Sequence, residues 1–146
     1  MRVLAIDPGT CTGWAAPGAS GVIDCSKVGK ARSDEQRHAM IFDRIAATIP
    51  DLIHEHRPDA LCIEQMVAKG MKGNAARVLL GIRGVILVAA TRHGLLIDPV
   101  AIPTWQAWAK RQGRTIKTDE LDACWIRDWW MAVRAQLVQV EDAALI

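Results

Sequence analysis

The hydrophobic pattern changes period several times along these 146 residues, and each change marks an element. Residues 2–6 are a short apolar run closed by Asp7-Pro8-Gly9, and residues 12–16 and 21–28 form two more, with Pro17-Gly18-Ala19-Ser20-Gly21 between them as a turn. Runs of this length bounded by Gly and Pro predict three strands in an antiparallel meander. Ser33 followed by Gln36 is a capping box, and Ala39, Met40, Ile41, Ile45, Ala46, Ile49, Leu52 and Ile53 recur at helical spacing up to Arg57-Pro58. Pro50 lies inside that pattern and predicts a kink or two abutting helices.

Residues 59–64 then read as a strand, residues 66–73 as a Gly-rich loop, and residues 74–93 as a helix whose apolar face is Ala75, Val78, Leu79, Ile82, Ile86 and Ala89, ended by Gly94. A strand over 95–102 follows. Thr104 can cap a short helix carrying Trp105 and Trp108, Thr118 another through about Met131, and residues 137–146 close the chain. Strands first, then strands alternating with helices, predict an α/β domain with a mixed sheet, and there is no internal repeat or linker.

With 51% hydrophobic and 23% charged residues, the length fits one globular domain over 1–146. No uninterrupted apolar run reaches the roughly 18 residues of a membrane span, and the N-terminus has no signal-peptide pattern, so the expectation is a cytoplasmic protein with no membrane partner. Cys11, Cys25, Cys62 and Cys124 lack any CxxC spacing, which excludes the usual zinc and redox motifs and leaves them as buried small hydrophobes.

The net charge of +2 hides a segregation: residues 1–64 sum to −2, residues 65–117 to +8 and residues 118–146 to −4. The middle third is cationic through Lys69, Lys72, Arg77, Arg83, Arg92, Lys110, Arg111, Arg114 and Lys117. That asymmetry suits a polyanionic partner, although solvated helix faces also collect Lys and Arg.

Three acids stand out against their surroundings: Asp7 and Glu64 end apolar strands, and Asp142, beside Glu141, lies in an otherwise apolar terminal segment. Carboxylates in such places are costly to desolvate unless a cation or hydrogen bonds compensate, which suggests a shared divalent ion. Each has an ordinary alternative: Asp-Pro-Gly is a common turn, Glu64 could pair with Lys69 or Lys72, and Glu141 and Asp142 could be solvated. Of these last two, only one can point squarely at a site, and Asp142 is favoured.

The ordered combination of Asp7-Pro8-Gly9-Thr10, Thr12-Gly13-Trp14-Ala15, Arg57-Pro58-Asp59, Ile63-Glu64-Gln65 and Asp142-Ala143-Ala144-Leu145 resembles the RuvC family of Holliday-junction resolvases, within the ribonuclease H-like superfamily. Gly81-Ile82-Arg83-Gly84-Val85 and Gly113-Arg114-Thr115-Ile116-Lys117 extend the resemblance to nearly the whole chain. It implies a ribonuclease H-like mixed five-stranded sheet, an antiparallel meander followed by parallel strands, flanked by helices. It also implies a structure-selective endodeoxyribonuclease that cleaves branched DNA, four-way junctions above all. Asp7, Glu64 and Asp142, with Glu141 as a further candidate, would hold two Mg²⁺ or Mn²⁺ ions, one activating water and one stabilising the leaving oxygen. Lys117 would stabilise the transition state, and Lys69, Lys72, Arg77, Arg83, Lys110, Arg111 and Arg114 would join it in contacting DNA.

The chain departs from the family pattern in several places. The acid or His expected three residues before the last Asp falls on Gln139, a second basic residue falls on Gln106, and Met66-Val67 stands where a junction-wedging aromatic is expected. These departures and the short chain imply a phage or prophage version, at work in a bacterial cell or an infected host. Trp105, Trp108, Trp125, Trp129 and Trp130 read as core or dimer contacts rather than a base-stacking platform. Symmetric cutting of a four-way junction calls for a C2 homodimer.

Three other readings stay open. They are a nonhydrolytic branched-DNA binding protein with a degenerate metal site, a YqgF-type RNA-processing nuclease, and an actin-like or sugar-kinase ATPase. The last lacks its second Asp-x-Gly loop here.

Overall fold

The computed structural model describes residues 1–66, 72–115 and 117–144, and the side chains described end at Arg134. Five strands, β1 (Val3–Asp7), β2 (Cys11–Ala16), β3 (Ala19–Asp24), β4 (Ala60–Gln65) and β5 (Leu96–Ala101), form one sheet in the order β3-β2-β1-β4-β5. The β3-β2-β1 meander is antiparallel, and β4 and β5 join it in parallel. This is the mixed topology that the strand and helix order predicts. Four helices complete it: α1 (Asp34–His56), α2 (Gly73–Arg92), α3 (Ile102–Arg111) and α4 (Asp119–Ala144).

Period-2 alternation sorts the strand residues onto two faces. Leu4, Ile6, Leu61 and Ile63 pack with Ile41, Ile45 and Ile49 of α1 and with Val78, Ile82 and Ile86 of α2. Val3, Ala5, Ala60 and Cys62 point the other way, toward Trp105 and Ala109 of α3 and Ile126 and Trp130 of α4. The second face is lined by small residues because large Trp side chains fill the space above it. Trp105 and Trp130 are buried there, and Trp108 meets Trp125 edge-on at 6.0 Å, so packing is what these Trp residues do.

Several boundaries differ from the sequence-based expectation. The β2–β3 connection is only Pro17-Gly18, with Ala16 paired to Ala19; Gly18 adopts φ 77°, and β3 begins earlier and ends at Asp24. Helix α1 runs its whole length through Pro50 as one helix, and Arg57 caps it in the left-handed region at φ 45°. Helix α3 starts at Ile102 with Pro103 in its first turn, where no N–H partner is required, so Thr104 lies inside the helix rather than capping it. The helix expected to end near Met131 instead runs on into the closing segment as one 26-residue helix, α4.

Helix α2 is, by length and composition alone, long and apolar enough to cross a membrane. No single apolar run shows this, because Arg77 and Arg83 interrupt the apolar stretches. Its inner face, Val78, Ile82, Ile86, Ala89 and Ala90, belongs to the core. All four cysteines are free thiols, with Cys25 and Cys62 buried.

Candidate active site

Strand register places the first two acids. Val3 pairs with Ala60 and Ile6 with Ile63, so the next step of the parallel ladder sets Asp7 beside Glu64. Both continue the small-residue face, Asp7 after Val3 and Ala5, and Glu64 after Ala60 and Cys62, so their side chains emerge beneath the start of α4. The turn after Asp7 is held by the buried Thr12, whose hydroxyl donates to the Gly9 carbonyl at 2.6 Å.

The first turn of α4 brings two more acids, Asp119 and Asp122. Thr118 caps the helix, its Oγ1 accepting from the Leu121 N–H at 3.2 Å, and carboxylates are favoured at such a positive helix end. Three contacts dock the N-terminal part of α4 on the sheet. Gly13, the β2 partner of Asp7, lies so close that a Cβ there would sit 1.8 Å from the Asp119 carbonyl oxygen. Ser20 donates to Glu120 at 2.6 Å, and Arg127 donates to the Ala16 carbonyl at 3.0 Å.

The four acids feel one another. Burial and the neighbouring charges of Glu64, Asp122 and Asp119 push the Asp7 carboxyl up to about 8, with Arg114 opposing. Burial likewise raises Glu64, against the indole of Trp105, which donates to its Oε2 at 2.9 Å. Asp119 is raised by burial and by Asp122. Arg114 pairs with Asp122 inside the site and lies over the Trp105 ring, 4.8 Å from its centroid.

This donor set fits a hard divalent cation in kind: oxygen ligands crowded until one of them keeps its proton, a repulsion that a cation would relieve. As the side chains stand, no three acid, His or Cys groups among the described residues converge tightly enough to ligate one ion. Asp122 is turned to Arg114, and Glu64 to Trp105.

Of the residues singled out by sequence, Asp7 and Glu64 therefore come together. The side chains of Asp142 and Glu141 lie outside the described residues, but α4 enters the site by its first turn, and Asp142 is twenty residues beyond Asp122, about 30 Å farther along the helix at ~1.5 Å per residue. One helix does not deliver both ends to one place, and the acids of α4 that meet Asp7 and Glu64 are Asp119 and Asp122, where the sequence reading expected Asp142 and Glu141. Their signal was present: two acids three residues apart, at Asp119-Glu120-Leu121-Asp122, directly after a capping Thr.

Among the expected DNA contacts, Lys72, Arg77, Lys110, Arg111 and Lys117 are exposed, and Lys69 lies outside the described residues. Arg83 is half-buried, with its Nε enclosed and unpartnered among the described residues, and Arg114 is turned inward to Asp122. Lys117 shares a cleft with Gln106, Lys110, Arg114 and Thr115 beside the acids.

The mixed β3-β2-β1-β4-β5 sheet, with acids at the ends of β1 and β4, is a ribonuclease H-like fold. No family model matches the chain. Over 106 residues it is 34% identical to the crossover junction endodeoxyribonuclease RuvC of Parvibaculum lavamentivorans, a stretch that is 69% of this chain and spans 59% of that relative. In fold it is similar to Thermus thermophilus RuvC in complex with a Holliday junction substrate, with a TM-score of 0.67, 19% identity, and 91% of this chain and 96% of that one covered. The yeast mitochondrial Holliday junction resolvase is also similar, with a TM-score of 0.64, 13% identity, and 97% and 83% covered. This is a RuvC-like chain.

Proposed function

We propose that this protein is a metal-dependent, structure-selective endodeoxyribonuclease that cleaves branched DNA and resolves four-way junctions. The observation that carries the reading is the meeting of Asp7, Glu64, Asp119 and Asp122 on one face of the sheet, at the junction of β1, β4 and α4. The resemblance to a curated RuvC and to two junction resolvases supports the substrate class.

Asp7, Glu64, Asp119 and Asp122 would hold Mg²⁺ or Mn²⁺ ions, which when bound supply activation of water and stabilisation of the leaving oxygen. The chain's own part is positional and electrostatic. Trp105 fixes the Glu64 carboxylate through its indole N–H, the Thr12-buttressed turn fixes Asp7, and the docked first turn of α4 fixes Asp119 and Asp122. Lys117 and Lys110, in the cleft alongside, offset charge developing on the phosphate. The nonhydrolytic reading rests on Gln139 in place of an acid; the presence of Asp119 beside Asp7 and Asp122 supports the hydrolytic reading instead.

We further infer a two-fold homodimer through the outer face of α2. A groove of about 540 Å³ between α1 and α2 is lined by Phe42, Ala46, Gly81, Val85 and Val88, next to the exposed Leu80. Such a patch suits a second copy, and two sites related by a two-fold axis suit paired cuts.

The decisive experiment incubates the protein with Mg²⁺ or Mn²⁺ and a synthetic four-way junction, beside flap, fork, duplex and structured-RNA controls. Asp122→Asn should abolish cleavage and keep junction binding, while Asp142→Asn should retain cleavage within about threefold. The reverse pattern would return the site to the C-terminal end of α4, and binding without nicking by the unaltered protein would leave it a junction-binding protein.

A further inference from the structure

The cation that the acid cluster already holds is a side chain. Helix α3 ends in a Schellman arrangement: Gly113, at φ 89°, donates to the Lys110 carbonyl and Arg114 N–H to the Ala109 carbonyl, both within 3.1 Å. This turn folds Arg114 back over its own helix. Its side chain is 7% exposed and lies on the Trp105 ring while pairing with Asp122, itself 18% exposed. The same Trp105 donates its N–H to Glu64. One indole therefore restrains a guanidinium on its face and a carboxylate at its edge, and these two account for why Glu64 and Asp122 do not converge.

The pairing is incomplete. Arg114 Nε is buried with no hydrogen-bond partner among the described residues, a state that disfavours the inward position by part of the desolvation cost of a charged group. Arg114 also borders the cleft of about 300 Å³ that contains Lys110, Thr115 and Lys117, so a rotation about its side-chain bonds exchanges the acid cluster for a cationic space with room for a phosphate. A guanidinium suits both partners, since its fork matches carboxylate and phosphate alike.

We propose that Arg114 is a resident counter-ion of the acid cluster, clamped by Trp105, that divalent metal displaces from Asp122 and that then turns into the cleft as a DNA-phosphate contact. The proposal rests on the nuclease reading and adds to it a coupling between metal loading and DNA engagement. Arg114 is a positioning residue in the metal-free state and a phosphate ligand in the loaded one. Metal and guanidinium compete for one carboxylate, so each weakens the other reciprocally.

The test is a calorimetric Mn²⁺ titration of the wild-type chain, Arg114→Gln and Trp105→Phe, with thermal melts in EDTA and in Mn²⁺. Arg114→Gln should bind Mn²⁺ about tenfold more tightly, as expected for loss of such a competitor, and should melt lower than wild type in EDTA but not in Mn²⁺. Trp105→Phe, which keeps the ring but frees Glu64 and loosens the guanidinium, should shift Mn²⁺ affinity the same way by less. An unchanged or weaker Mn²⁺ affinity in Arg114→Gln, with equal loss of melting temperature in both buffers, would make Arg114 a structural ion pair and overturn the proposal alone. If neither wild type nor the variants bind Mn²⁺, the nuclease reading falls and takes this proposal with it.

Discussion

Asp7 sits at the end of a fully buried strand with three other acids in range, and its chemistry follows from that crowding. Its carboxyl moves from 3.8 to about 8, so without metal the folded chain holds a proton there that the unfolded chain has lost. Between about pH 4 and pH 8 the folded state therefore binds more protons than the unfolded state, and stability falls as the pH rises through that window. Asp7→Asn removes the term. In EDTA at pH 8.5 the variant should be more stable than wild type by roughly 1–3 kcal/mol, and the difference should disappear near pH 4. Denaturant melts at the two pH values check this, and an equal difference at both would show that the carboxyl is not held protonated. Metal must displace the same proton, so Mn²⁺ affinity should rise between pH 6 and pH 8. Asp7 and Glu64 were legible in the sequence because a strand has a period of two and an end. Asp122 was not, because Asp122-Ala123 and Asp142-Ala143 look alike along one amphipathic helix, and helical phase does not say which turn lies over the sheet.

At the scale of elements, the site depends on how closely α4 approaches β2. Gly13 is the only residue type that fits there: a Cβ would meet backbone atoms of Asp119 at 1.8 and 2.3 Å, and backbone cannot swing aside as a side-chain tip can. Gly13→Ala should push the first turn of α4 outward, destabilise the fold by roughly 1–3 kcal/mol and abolish cleavage with all four acids still present. Comparing cleavage with Mn²⁺ affinity separates the effects, since both should fall together; a variant that cuts at the wild-type rate would show that α4 docking does not position the acids. The order and type of the strands were readable from alternation and from Gly and Pro. The reach of α4 was not, because its docking is set by a glycine more than a hundred residues away and by Ser20 and Arg127 contacts that local periodicity does not encode.

At the scale of the molecule, the acids and the cations divide the labour. Lys72 and Arg77 at the start of α2, with Lys110, Arg111 and Lys117 near α3, are exposed and suited to phosphates, so junction affinity should fall steeply with salt. Binding and paired cutting make different demands. One protomer presents these cations, but two cuts at a symmetric junction need two acid clusters in fixed relation, which the proposed α2 dimer supplies. Val88 is 50% exposed on the groove and is not among the described core residues, so Val88→Glu should leave the monomer fold within about 0.5 kcal/mol of wild type. In a two-fold interface the new charge faces its own copy and is buried twice, so the variant should be monomeric at micromolar concentration by sedimentation. With Mn²⁺ and a nicked-circle junction substrate it should still make single nicks at high protein concentration while losing the near-simultaneous second cut. A variant that stays dimeric and cuts both strands in step would move the two-fold axis off α2, to another surface of the chain.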